Sequence, residues 1–271
     1  MAHQFKFKRY EIKYLVSNEQ RARIERAMAP RMIADEHGES TICNVYYDTP
    51  SHLLIRRSCE GPVYKEKVRV RSYGRYDAGK EVFVELKKKY DGIVYKRRVA
   101  QDLERANRML AGLEQPADQV EREIAYTVER YGGLQPSCYI AYDRCAFFAK
   151  DDREFRITFD RNIRWRTDRL SLAEDTDGEP LLDEDFSLME VKSGGAMPLW
   201  LVNELTAMRL YKASFSKYGT AWVRSGAVVD PEVQPQPVPI VQPVLASTVV
   251  SSQPRVPRRV PQRPVAPVQT V

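Results

Sequence analysis

The chain of 271 residues has no uninterrupted apolar run of eighteen residues, and its first thirteen residues carry charges where a signal peptide has its apolar stretch. Neither a membrane-spanning helix nor a secretory leader is expected, and a soluble cytoplasmic protein is. Cysteine is scarce: Cys43, Cys59, Cys138 and Cys145 show no C-x-x-C spacing and read as reduced core residues. Histidine is scarcer still. His3, His37 and His52 form no H-x-H or H-E-x-x-H pattern, so a zinc site has no basis and any metal must be held by carboxylates. A G-x-S-x-G elbow and a Cys–His pairing are also missing, which leaves covalent catalysis unsupported.

Charge of one sign is not in great excess either. The chain is 30% charged, yet 43 basic residues against 37 acidic ones net only +6, and no nucleic-acid partner is expected from that balance. Placement therefore carries the information. Ten of the seventeen prolines fall between Pro231 and Pro267, among Val, Gln, Ser and four arginines, Arg255, Arg258, Arg259 and Arg263. Residues 229–271 read as a disordered Pro-rich tail, either a solvated linker or, through its P-x-x-P spacings, a docking segment for a protein partner.

Residues 1–228 read as one folded domain built mainly of strands. Period-two segments occur at 5–16, 41–47, 63–72, 81–89, 93–99, 138–148, 154–160 and 186–192, with Asp91-Gly92 as a hairpin signal. Helical patterns cover 18–29, opened by a Ser17 to Gln20 capping box, then a short helix after Thr49-Pro50, 101–110, 118–131 closed by Gly132, and 198–210 after Pro198.

Alternation along these strands divides charged from apolar side chains, because successive residues point to opposite faces. Glu11 and Lys13 oppose Tyr10, Ile12 and Tyr14; Lys67, Arg69 and Arg71 oppose Val68 and Val70; Glu85 and Lys87 oppose Val84 and Leu86. Arg156, Thr158 and Asp160 oppose Ile157 and Phe159, and Glu190 and Lys192 oppose Met189 and Val191. An open antiparallel sheet with one wet face shows the same alternation. Here, however, the basic residues outnumber Glu11, Glu85 and Glu190, and like charges on one face repel unless an anion neutralises them. Eight antiparallel strands suffice to close a barrel, with the apolar face outside under helices and the charged face within. The expected fold is thus α+β, an eight-stranded antiparallel β-barrel with helices packed outside. Such a lumen suits a chain of phosphates with a divalent cation held by Glu.

Several segments together resemble the catalytic domain of the vacuolar transporter chaperone (VTC) family. They are Phe7 to Tyr14, Asn44 to Pro50, Lys67 to Arg71, Val84 to Lys87, Tyr142 to Arg144, Phe155 to Asp160, Met189 to Lys192 and Ser214 to Tyr218. That family belongs to the triphosphate tunnel metalloenzymes, alongside thiamine triphosphatases and class IV adenylate cyclases. The resemblance spans roughly residues 4–225. It implies a tunnel that binds ATP by its triphosphate and passes the γ-phosphate to a growing inorganic polyphosphate chain. By matching motif it implies catalytic roles for Lys13, Arg69, Arg71, Arg144, Arg156 and Lys217, and substrate contacts from Lys87, Lys96, Tyr142 and Ser216. Glu190 and Glu11 would hold Mn²⁺ or Mg²⁺. Ser214 stands where some members have a further Lys. Hydrolysis of ATP, tripolyphosphate or a similar triphosphate, and plain polyphosphate binding, are the alternatives to polymerisation.

Two other signals read as structural. Gly74 to Glu81 nearly spells a phosphate-binding loop, but Glu81 stands in place of the Ser/Thr and a strand follows, so a hairpin turn is expected. Tyr46 and Tyr47 read as strand packing.

Overall fold

The computed structural model describes residues 10–226, Gly92 excepted. The Pro-rich segment 229–271 and the extension of the first strand to residue 5 lie outside the described residues. In chain order the elements are β1 (Tyr10–Ser17), α1 (Asn18–Met28), β2 (Met32–Asp48), α2 (Leu53–Glu60), β3 (Tyr64–Tyr73), β4 (Val82–Tyr90) and β5 (Ile93–Gln101). There follow α3 (Leu103–Leu110), α4 (Gln119–Arg130), β6 (Gln135–Ala149), β7 (Arg156–Arg166), β8 (Glu179–Pro180), β9 (Phe186–Ser193), α5 (Leu199–Ala207) and α6 (Lys217–Arg224). All eight expected strands are present, and β8 adds a two-residue ninth.

Local chemistry sets the helix ends. Ser17 Oγ accepts from the Gln20 amide while the Gln20 side chain accepts from the Ser17 amide, a complete capping box. Asp102 and Asp118 cap α3 and α4 with one side-chain bond each, accepting from the amides of Arg105 and Glu121. The start of α2 uses a buried carboxylate: Asp48 accepts from the amides of Leu54 and Ile55, and Thr49 Oγ1 accepts from Leu53. Between β3 and β4, Gly74 and Gly79 take left-handed φ values of 77° and 89°, the hairpin-turn reading of that segment.

The strands pair in the order β1-β9-β7-β6-β2-β3-β4-β5, every contact antiparallel, with β8 attached to β7. No hydrogen-bonded pairing joins the edge strands β1 and β5 among the described residues, so the barrel is a curled sheet rather than a closed ring. The degree of curl follows from one distance. Six strand steps separate β1 from β4, roughly 29 Å in a flat sheet at about 4.8 Å per step. Yet Lys87 Nζ on β4 lies 3.9 Å from Glu11 Oε2 on β1.

The convex face is apolar and covered by helices. α3 and α4 place Ala106, Met109, Leu110, Ile124 and Val128 against Val45, Val70, Val84 and Leu86. α1 and α5 place Ile24, Met28, Leu201 and Leu205 against Val16, Ile157, Phe159 and Val191. A third cluster lies on the opposite face of the sheet. Tyr218 and Ala221 of α6 and Ile55 of α2 pack with Ile42, Tyr46, Ile140, Trp165 and Leu188, whose parity is that of the charged face. One part of the concave face is therefore an apolar plug, and the charged residues occupy the rest. No described helix is long and apolar enough to cross a membrane. Only Cys43 and Cys138 are buried; Cys59 is exposed and Cys145 partly so, which corrects the reading of all four as core.

Candidate functional site

Cross-strand register places the charged side chains in rows across the concave face. Lys13 on β1 stands opposite Glu190 on β9, Arg144 on β6 opposite Asp160 on β7, and Arg69 on β3 opposite Glu85 on β4. Two carboxylate-centred clusters result.

In the first, Asp160 is fully buried and accepts from Arg144 at 2.5 and 2.7 Å and from Lys217. Glu190 sits beside it, 3.1 Å from Arg144, 3.5 Å from Lys217 and 3.4 Å from Lys13. Tyr142 lies beneath these cations: Lys217 Nζ is 4.4 Å and the Arg144 guanidinium 5.1 Å from its ring centroid, and its hydroxyl accepts from Arg71 at 3.2 Å. Burial would raise the Glu190 carboxyl, but Lys217, Arg144 and Lys13 outweigh it and hold it well below the usual range. Burial likewise opposes the charge on Lys217, and Asp160 and Glu190 overcome it, so its ammonium is held charged.

The second cluster has four cations and one carboxylate. Glu85 receives Arg69 at 2.6 Å and Lys96 at 2.7 Å, with Arg98 at 3.5 Å and Arg71 at 3.9 Å. Its carboxyl is held low by Arg69, Arg71 and Lys96 against the effect of burial. Arg69 also donates to the Tyr46 hydroxyl, and Arg71 to Asn44. Tyr46 is therefore a polar partner of the site, a correction to the strand-packing reading, while Tyr47 bonds Asn107 on the convex side.

Toward the more exposed end, Glu11 faces Lys13, Lys87 and Lys192 at 3.8, 3.9 and 4.0 Å. Among the described residues its oxygens have no shorter ion pair than these. Glu11 and Glu190 share Lys13 as neighbour, and no group of three His, Cys, Asp or Glu side chains gathers among the described residues. Two adjacent carboxylates fit a hard cation that completes its shell with water and substrate phosphate.

Of the residues singled out by sequence, Lys13, Arg144, Lys217, Tyr142 and Glu190 converge in the first cluster, and Arg69, Arg71 and Lys96 in the second. Lys87 and Glu11 bridge the seam between β4 and β1. Ser216 caps α6. Arg156 shares the concave parity but pairs with Asp35 at 2.8 Å with its side chain 44% exposed, at the rim and apart from the two clusters. Lys67, Arg98, Lys192 and Asp160 were not among the candidates and belong to the site. Their strand parity was the signal available, since each lies two residues from a residue of the set or from one sharing its face.

No curated protein matches this sequence significantly. Among solved structures, a proposed adenylate cyclase from Vibrio parahaemolyticus is 12% identical, with a TM-score of 0.42 over 79% of this chain and 97% of that one. A proposed adenylyl cyclase from Hippeastrum, described as having a dominant triphosphatase activity, is 16% identical, with a TM-score of 0.47 over 80% of this chain and 96% of that one. Another from Bacillus halodurans is 14% identical, with a TM-score of 0.46 over 76% and 92%. The VTC domain profile matches residues 8–224, which is most of the chain and contains both carboxylate-centred clusters, and the protein belongs to the VTC domain family.

Proposed function

We propose that the concave face binds a triphosphate, that of ATP, and transfers its γ-phosphate to the end of an inorganic polyphosphate chain. The observation that carries the reading is the uneven neutralisation of the lining: Arg69, Arg71, Lys96 and Arg98 share the one carboxylate of Glu85. An enclosed excess of cations of this kind costs desolvation that a polyanion offsets. Family membership supports the same substrate class.

The basic side chains would grip the phosphate oxygens and stabilise charge that spreads over them during transfer. Glu11 and Glu190 would hold Mn²⁺ or Mg²⁺, which supplies Lewis-acid charge stabilisation when bound. Tyr142 would orient Arg71, Arg144 and Lys217 toward one locus. Hydrolysis of a triphosphate is the second reading, and the apolar plug around α6 favours it, because a blocked end accommodates a short substrate more readily than a threading product.

The full chain, incubated with ATP and Mn²⁺ or Mg²⁺ with and without a short phosphate primer, is expected to release ADP and build acid-labile polyphosphate visible on a gel. Stoichiometric orthophosphate without chains would replace polymerisation by hydrolysis, and release of neither product would leave binding alone.

A further inference from the structure

The end of the β4–β5 hairpin carries large apolar side chains that nothing in the fold covers. Tyr90 pairs with Ile93 across the turn, Lys89 with Val94 and Lys88 with Tyr95. The Asp91 amide in that turn donates to the Val63 carbonyl at 3.0 Å, which sets Val63 beside the tip. These five apolar residues, Val63, Tyr90, Ile93, Val94 and Tyr95, are between 44% (Ile93) and 65% (Val63) exposed. Register divides the hairpin between two faces: Val94 shares the concave parity of Lys87 and Lys96, whereas Tyr90, Ile93 and Tyr95 share the convex parity of Leu86. Val84 and Leu86, farther along the same strand, are buried under α3 and α4. The tip therefore stands clear of the helices and presents apolar surface on both sides. Exposed apolar surface of this kind marks a site of contact with another molecule or with a membrane. A folded protein partner covers one face or one edge of a sheet, but a medium that surrounds the tip covers both.

Basic residues form a collar behind the tip. Lys88 lies on the convex side and Lys89 on the concave side, each opposite an apolar residue of β5. Lys65 stands directly opposite Lys89 across β3 and β4, and neither has a Glu or Asp oxygen within 4.0 Å among the described residues. Like charges so placed repel unless an anion neutralises them. From the collar to the turn, Lys88 to Tyr90 and Tyr95 to Ile93 each span two residues, roughly 7 Å at about 3.4 Å per residue. That depth falls within the about 5–10 Å by which apolar groups enter the boundary between lipid headgroups and acyl chains.

We propose that the end of the β4–β5 hairpin docks on an anionic lipid surface. Tyr90, Ile93, Val94 and Tyr95 enter the headgroup boundary, and Lys65, Lys88 and Lys89 meet the lipid phosphates. Exposed Asp91 at the apex works against insertion, so attachment is reversible and depends on anionic lipid. The inference does not rest on the phosphoryl-transfer reading, which requires no bilayer.

The test is flotation of the full chain with vesicles of phosphatidylcholine alone and of phosphatidylcholine mixed with phosphatidylglycerol. The parent is expected on the mixed vesicles only, and to be released as salt is raised. Ile93→Ser combined with Tyr95→Ser should lower partitioning by about tenfold or more, with a melting temperature close to the parent's because both positions are exposed. Lys89→Gln should lower it by about fivefold, and Asp91→Asn should raise it. In Tyr95→Trp the emission gained over the parent should move to shorter wavelength on the mixed vesicles, a change that loss of folding does not produce. Absence of parent binding to the mixed vesicles, or equal binding by the double serine variant, would overturn the proposal. So would a dimer in lipid-free solution that the double serine variant abolishes, since the tip would then belong to an interface with a second copy of the chain.

Discussion

Glu190 is surrounded by Lys13, Arg144 and Lys217, so removing its charge leaves these three cations with Asp160 and Glu11 as their remaining carboxylates. In Glu190→Gln, metal-free tripolyphosphate should bind several-fold more tightly, while metal-dependent turnover falls by about 100-fold or more. Calorimetry and single-turnover assays read the two effects separately. Parent-level turnover would reduce Glu190 to a counter-charge and leave Glu11 as the metal ligand. The residue scale was also where sequence was most informative, because the period of two is unbroken in β1 and β3: knowing the face of Lys13 or Arg69 required only counting. It could not show which cations a carboxylate neutralises. Lys67 and Lys87 stand directly opposite each other across β3 and β4, yet only Lys87 reaches Glu11, since that contact crosses the seam between strands far apart in the sheet.

Among the helices, α6 was the one that sequence reading missed. It is eight residues long, contains Gly219, and shows its apolar face only in Tyr218, Ala221 and Trp222, too few positions for a helical period to stand out. Tertiary partners hold it instead. Tyr218 stacks on Tyr46 at 4.5 Å, donates to the buried Asp48 at 3.0 Å and pairs with Ser137 at 2.9 Å, tying α6 to the carboxylate that caps α2. Tyr218→Phe should lose about 2 kcal/mol of stability, because it deprives a buried carboxylate of a hydrogen bond. It should also weaken tripolyphosphate binding, since Ser216 and Lys217 are placed by the same helix. Chemical denaturation together with calorimetry checks both, and unchanged values in each would show that α6 is positioned by other contacts. The eight long strands, by contrast, were each located, as their alternation and turn chemistry agree with one another, although β2 begins at Met32 and β7 runs to Arg166, beyond the expected 41–47 and 154–160, where register shifts interrupt the alternation.

At the scale of the whole molecule, the curled sheet turns a local imbalance of charge into a property of folding. Lys67, Lys87 and Lys96 are each lowered, first by burial. Between neutral pH and their ordinary value near 10.4 the unfolded chain therefore binds more protons than the folded one, and stability rises with pH. Lys217 is raised, so its contribution is complete below its ordinary value and is lost only at higher pH. The lowered carboxyls of Glu85 and Glu190 contribute fully above about pH 4.5 and lose their effect only as pH falls through their depressed values. Above about pH 8.5 the thiols of Cys43 and Cys138, raised by burial, act in the opposite sense. Between pH 7 and 8.5 Lys67, lowered to about 7, sets the sign among the described residues. The ligand-free chain should thus melt at a higher temperature at pH 8.5 than at pH 7. A polyphosphate present at ~100 times its dissociation constant should add about 2.7 kcal/mol at either pH. At one fixed polyphosphate concentration the increment should be larger at pH 7, where the lowered lysines carry more charge than at pH 8.5 and binding is tighter, and it should shrink as salt screens the lumen. Scanning calorimetry with and without polyphosphate, at two pH values and two salt concentrations, measures each of these differences. A melting temperature insensitive to pH across that window and to added polyphosphate would mean that the concave cations are already neutralised within the fold, which would remove the physical basis for a polyanion in the tunnel.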